Sequence, residues 1–163
     1  MKIGITCYPI YGGSGVVATE LGKALAARGH EIHFISYQIP FRLGHVTERI
    51  YFHEVGIMQY PVFEHAPYTL ALTSSMVDVA KNFGLDVLHV HYAIPHATSA
   101  VLARDILAKQ GLTVPVVTTL HGTDITLVGQ DPSYRPVVAH SINASDGVTS
   151  CRVPDMCVKA HMP

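Results

Sequence analysis

The stretch Cys7-Tyr-Pro-Ile-Tyr-Gly-Gly-Ser-Gly-Val-Val17 constrains the fold more than any other, because it joins an apolar run, Lys2 to Cys7, to a helical pattern from Val16 to Arg28. A buried strand entering a helix through a glycine turn opens an α/β unit. Glycine tolerates positive φ there and lets a ligand approach the main chain. The first N–H groups of the following helix have no intrahelical partner and favour an anion. Two readings stand side by side: a phosphate cradle, or a tight strand-to-helix turn with no ligand.

The pattern repeats along the chain. Val17, Leu21, Ala24, Leu25 and Arg28 fall at helical spacing with Glu20 and Lys23 on other faces, and Gly29 is placed to end the helix. Glu31–Ser36, Ile50–Val55, Asp86–His91, Val114–Leu120 and Asp146–Ser150 are the further strands. Leu70–Phe83 predicts a helix with Leu72, Met76, Val79, Ala80 and Phe83 in register and Gly84 beyond its end. His96–Gln110 predicts another, with Ala100, Ala103 and Leu107 inward and Gly111 as its stop, and a last helix lies around Val137–Ala144. Gln38–Arg49 is a loop, and the aromatic, proline-bearing segment Gln59–Tyr68 is expected to cover one side of a cleft. Short apolar strands alternating with helices predict a Rossmann-like α/β fold, a mostly parallel sheet flanked by helices. After Ser150 the periodicity fails, so residues 1–150 form the expected domain and 151–163 a divergent tail.

A length of 163 residues supports one domain with a sizeable core. Apolar residues make up 48% and charged residues 14%, which excludes a disordered chain and implies that part of the surface is covered, a homo-oligomer being one way. The formal charge is −1 with scattered Lys and Arg, which offers no electrostatic basis for nucleic acid or an anionic membrane as partner. Cys7, Cys151 and Cys157 make neither a disulfide framework nor a zinc spacing, as expected of a cytoplasmic protein. The run Ile3–Cys7 is too short for a signal peptide's apolar segment, and Val87–Ala103, though free of Asp, Glu, Lys and Arg, carries three His and a Pro and is no membrane span.

Gly13-Ser-Gly15-Val-Val-Ala18 matches the dinucleotide pattern G-x-G-x-x-G/A, yet the second strand ends in Ser36-Tyr37-Gln38, without the acid that would hold the ribose of NAD. A Walker loop fails at Ala24, which follows Gly22-Lys23, and a nucleophile elbow fails at Val16. His89 and His91 alternate along a strand and share a face, but no further ligands accompany them as a metal site requires. His91 is expected as a pocket wall or hydrogen-bonding group, and His89 as a buried, satisfied one. His121-Gly-Thr-Asp124 brings imidazole, hydroxyl and carboxylate to a strand end, where open α/β sheets bind ligands. That set suits sugar hydroxyls or an anionic acceptor, with Asp124 either orienting His121 or capping the next helix. A Ser14, His121, Asp124 hydrolase triad is conceivable but lacks the elbow. Tyr92 and Thr119 also end strands, and with Ser14 they can ring the same cleft with hydroxyls that suit a small carboxylate.

Lys2-Ile-Gly-Ile-Thr-Cys-Tyr-Pro9 with Gly12-Gly-Ser-Gly-Val-Val17, Pro40-Phe-Arg-Leu43, Tyr51-Phe-His-Glu-Val55, His89-Val-His-Tyr-Ala-Ile-Pro-His-Ala97 and Thr118-Thr-Leu-His-Gly-Thr-Asp-Ile-Thr126 together resemble the family 4 glycosyltransferases of bacillithiol biosynthesis. The resemblance runs in order from residue 1 to about Ser150. It implies the N-terminal, acceptor-side half of a GT-B architecture, in which two Rossmann-like domains face a cleft. The activity it implies is transfer of N-acetylglucosamine from UDP-N-acetylglucosamine to L-malate, with retention and without a metal or other cofactor. By resemblance, Gly13 and Gly15 approach the donor diphosphate, Ser14, Tyr92 and Thr119 hold the acceptor, His121 is catalytic, and Asp124 and His91 support it. The donor-holding residues are expected on a C-terminal domain outside this chain, so the isolated chain is expected to lack appreciable transferase activity. A dinucleotide-type binding module and a nonfunctional fragment are the competing expectations.

Overall fold

The structure, a computed structural model, describes residues 1–44 and 48–151. The tail 152–163 with Cys157, and part of the Gln38–Arg49 loop, lie outside the described residues. In chain order the elements are β1 (Lys2–Thr6), α1 (Gly13–Ala27), β2 (Glu31–Ser36), β3 (Ile50–Glu54), α2 (Tyr68–Phe83), β4 (Val87–His91), α3 (Thr98–Ala108), β5 (Val116–Leu120), α4 (Thr123–Thr126), α5 (Arg135–Ala144) and β6 (Gly147–Ser150). All strand pairs are parallel, and the sheet order is β3-β2-β1-β4-β5-β6. The chain winds outward from β1 to β3, returns to the centre at β4 and winds outward again to β6. The reversal between β1 and β4 opens a crevice at the carboxyl ends of those strands, the place where doubly wound sheets bind ligands.

Alternation along the strands sorts the core onto two faces. Ile32 and Phe34 of β2 join Ile3, Ile5 and Ala18 under α1. On the other face Ile35, Leu88, Val90 and Val116 meet Leu72 and Met76 of α2 and Ala100, Ala103 and Leu107 of α3. The expected inward residues of α2 and α3 are buried, apart from Phe83, whose ring packs at 4.8 Å from those of His33 and His53. Gly29, Gly84 and Gly111 follow their helices with φ of 89°, 66° and 78°, the left-handed geometry that terminates a helix at little cost for glycine.

Three expectations need correction. The buried stripe of α1 is Gly15, Ala18, Thr19 and Gly22, while Val17 stays 39% exposed. Size selects this face, because a Cβ on Gly22 would lie 2.5 Å from Cζ of Phe34, so small residues let the helix settle onto the large side chains of β2. The second concerns the segment after β3. It curls around a concavity of its own, about 510 Å³, lined by Met58, Tyr60, Pro61 and Phe63 among others, and contributes no wall to the cavity at the sheet's carboxyl end. The third helix also starts later than His96, since Ala93–Ala97 forms a separate wide turn interrupted by the extended backbone of Ile94. No helix of the described residues is long and apolar enough to cross a membrane. Cys7 and Cys151 are both free thiols.

Candidate active site

Gly12 caps α1 with extended backbone and no side-chain hydrogen bond. The first helical bond runs from Val16 N–H to the Gly12 carbonyl, so the N–H groups of Gly13, Ser14 and Gly15 have no acceptor among the described residues. No acidic side chain occupies this first turn. The helix therefore presents three unpaired donors and the positive end of its dipole. None of Gly12, Gly13 and Gly15 has positive φ, so the turn uses glycine for close approach and not for left-handed backbone. A Cβ on Gly15 would lie 2.5 Å from the Tyr8 carbonyl oxygen and 2.8 Å from that of Ile10, whereas one on Gly13 would meet nothing within 4 Å. The fold itself demands Gly15. Gly13 faces open space.

Beside this helix end lies a cavity of about 520 Å³, lined by Ser14, Tyr8 and Ile10 from the β1 side, Tyr92 and Pro95 after β4, and Tyr134 before α5. Tyr92 has φ of 92°, a sparsely populated conformation for a residue with a side chain. Its hydroxyl is 2.7 Å from Oγ1 of Thr123, and its ring meets that of Tyr8 edge-on at 5.5 Å. The Tyr8 hydroxyl donates to the Ile94 carbonyl at 3.2 Å, and burial pushes its pKa up to about 12, so it stays a neutral donor. Strain at Tyr92 is thus over-determined by its neighbours, as strained backbone at ligand sites is.

Behind the cavity, β4 and β5 end in a cluster of imidazoles and hydroxyls. His91 Nδ1 lies 3.1 Å from His121 Nε2, and His89, stacked on His91 at 4.9 Å, bonds Thr119 Oγ1 at 2.7 Å. Thr119 Oγ1 is also 2.7 Å from Thr149 Oγ1, which leaves its hydroxyl capacity for one further bond. His96 Nδ1 donates to the His91 carbonyl at 2.7 Å. Burial drives the pKa of His91 down to about 2 and that of His96 to about 4, with neighbouring imidazoles adding to the effect, so both rings are neutral. Asp124 is fully buried, and both its carboxylate oxygens accept the backbone N–H of His121, at 3.1 and 3.2 Å. It takes neither of its two expected roles: Gly122, φ 96°, caps the short helix without a side-chain bond, and the Asp124 carboxylate holds the backbone of His121, not its imidazole.

The cavity therefore gathers Ser14 and Tyr92, with the Gly13 and Gly15 donors alongside. His91 and Asp124 hold the ring and the backbone of His121, and Thr119 bonds His89, which stacks on His91. No hydrogen bond links Ser14 to His121, and the ring of His121 is bonded to His91, so the hydrolase triad does not form. Among the described residues no group of three or more His, Cys, Asp or Glu could hold a metal ion. Tyr8, His96 and Tyr134 escaped the sequence reading. The first adjoined the glycine turn and was the one most open to discovery, whereas the aperiodic segment before α5 carried no signal for Tyr134.

The profile of Glycosyltransferase Family 4 matches residues 11–152, a span that takes in the glycine turn, the histidine cluster and the His121–Asp124 turn. The chain belongs to glycosyltransferase family 4. This family 4 domain is 58% identical over 150 residues to the N-acetyl-alpha-D-glucosaminyl L-malate synthase of Bacillus anthracis, a match covering 92% of the chain. It spans 39% of that relative's length. Among solved structures, MurG of Acinetobacter baumannii superposes with a TM-score of 0.56 over 94% of this chain and 41% of its own, at 15% identity. At that identity the fold alone is shared: the Rossmann-like parallel sheet expected of the N-terminal half of a GT-B transferase.

Proposed function

We propose that this domain is the acceptor-side half of a retaining glycosyltransferase that moves N-acetylglucosamine from UDP-N-acetylglucosamine to the hydroxyl of L-malate. The observation that carries the reading is the 58% identity over 92% of the chain to a relative bearing that activity in its name. The geometry supports it. The unpaired N–H groups of Gly13, Ser14 and Gly15 suit a diphosphate or a carboxylate, because amide donors at a helix N-terminus are fixed in place before charge develops on the leaving group. Ser14 and Tyr92 line the neighbouring cavity and offer hydroxyls to malate, with Thr119 one layer behind. His121 contacts the transferred sugar. Holding donor and acceptor together on the same face then accounts for much of the rate, without a metal or other cofactor. In this reading a second Rossmann-like domain supplies the opposite wall and the remaining donor contacts, and the enzyme works in the cytoplasm.

Titration of the ¹⁵N-labelled chain with L-malate and, separately, with UDP-N-acetylglucosamine tests this directly. Amide shifts centred on Gly13 to Val16 are expected with both ligands. Turnover by the chain alone should be absent, and measurable N-acetylglucosaminyl-malate formation would sink the half-site reading. Shifts with NAD and none with either substrate would favour the dinucleotide module that the Gly13, Gly15 and Ala18 spacing permits.

A further inference from the structure

His91 has one hydrogen-bonded nitrogen and one that is buried without a partner: Nδ1 faces His121 Nε2 at 3.1 Å, and Nε2 is enclosed and unpaired. With both rings neutral, a single proton sits between them, and it can belong to either. If His121 owned it, His91 would carry its own proton on the enclosed Nε2, leaving an N–H donor buried with nothing to accept it. If His91 owns it on Nδ1, the enclosed Nε2 is left only with a lone pair. Orphaned buried N–H groups are the rarer and costlier case. The adjacent ring behaves in the same way without ambiguity. The His91 carbonyl can only accept, so His96 Nδ1 bears its proton, and the enclosed Nε2 of His96 is bare.

The consequence passes to His121. Its Nε2 must accept from His91, so as a neutral ring it carries its proton on Nδ1. Among the described residues that nitrogen has no hydrogen-bond partner, and it is not one of the enclosed unpaired atoms. We propose that His91 is a positioning residue that fixes His121 in the Nδ1–H form, so that His121 offers the cleft a hydrogen-bond donor and not a basic lone pair. The neutral histidine side chain in water favours the opposite, Nε2–H form, so the assignment is a property of this fold. Its meaning for catalysis rests on the glycosyl-transfer reading above: His121 would donate to a sugar hydroxyl or to the negative charge of the leaving group, and would not deprotonate the acceptor.

The test uses the chain labelled with ring-¹⁵N histidine, with long-range ¹H–¹⁵N correlations recorded at a pH above the ordinary histidine range. His121, His91 and His96 should each show a protonated Nδ1 and a bare Nε2. In His91→Phe the His121 signals should move to the Nε2–H pattern or to an exchanging mixture. In His91→Asn, whose amide can donate from near the position of Nδ1, the Nδ1–H pattern should be retained. A wild-type His121 protonated on Nε2 overturns the proposal and requires no variant to fold. An unchanged Nδ1–H pattern in folded His91→Phe overturns the role of His91. No substrate enters these measurements, so their failure is distinct from failure of the glycosyl-transfer reading, which the titrations and turnover assay decide.

Discussion

Gly13 and Gly15 sit two residues apart in one turn of helix and are constrained by different things. Gly15 is pressed against two backbone carbonyls, atoms that cannot swing aside as a side-chain end can. Gly15→Ala should therefore destabilise the domain by about 1–3 kcal/mol, the usual cost of overpacking. Gly13→Ala adds its methyl to open space at helical backbone and should be neutral or stabilising by about 0.5–1 kcal/mol, since alanine loses less entropy on folding. Urea unfolding of both variants checks the contrast. If the proposed function holds, the same Gly13→Ala chain, stable as it should be, is expected to bind UDP-N-acetylglucosamine and malate more weakly, because the methyl takes up open space in front of the unpaired N–H groups. A variant that loses stability at Gly13 and keeps it at Gly15 would reverse the assignment.

At the level of elements, α1 shows why hydropathy was a poor guide to its buried face. The apolar residues at helical spacing included Val17, but the helix turns its small residues to the sheet, because Phe34 occupies the space above Gly22. Gly22→Val should destabilise by about 1–3 kcal/mol by forcing α1 off β2, whereas Val17→Lys, on the exposed side, should stay within about 0.5 kcal/mol of the parent. Chemical denaturation midpoints measure both. α2 and α3 present the opposite case. Their apolar stripes were broad, and neighbours of ordinary size let hydropathy decide, so their inward residues were legible in advance. The polar turns between elements were legible in composition but not in contacts: Asp124 was a candidate partner for the His121 ring and bonds its backbone instead.

For the whole molecule, the buried imidazoles predict how stability responds to acid. His91 and His96 have folded-state pKa values near 2 and 4, below the ordinary 6.5, so below pH 6.5 the unfolded chain binds protons that the folded chain refuses. Stability contributed by each neutral ring is therefore complete above pH 6.5 and falls as pH drops, until the folded pKa is reached. The slope is about 1.4 kcal/mol per pH unit for each ring, or roughly 3 kcal/mol from His96 between pH 6.5 and 4. Asp124 works the other way at lower pH, since burial raises its pKa and its protonation is easier in the folded state. Urea midpoints measured from pH 7.5 down to 4 should fall steeply, and His96→Asn should flatten the curve. A flat wild-type profile would mean that these rings are accessible to protons in the native state.

The alternation of short apolar strands with glycine-stopped helices was enough, by itself, to determine a Rossmann-like parallel sheet, because strand and helix periods and left-handed stops are local properties written in consecutive residues. Shared blocks of sequence carried the family in the same way. Spacing also brought Ser14, Tyr92 and His121 to one end of the sheet, since that end follows from strand order. Tertiary structure alone decided which glycine the fold needs and which it leaves open, which face of α1 is buried, and which nitrogen of His121 meets a partner. Those are questions of distance between residues far apart in the chain, set by the volume of Phe34, the carbonyls of Tyr8 and Ile10, and the enclosure of His91, and no local pattern encodes them.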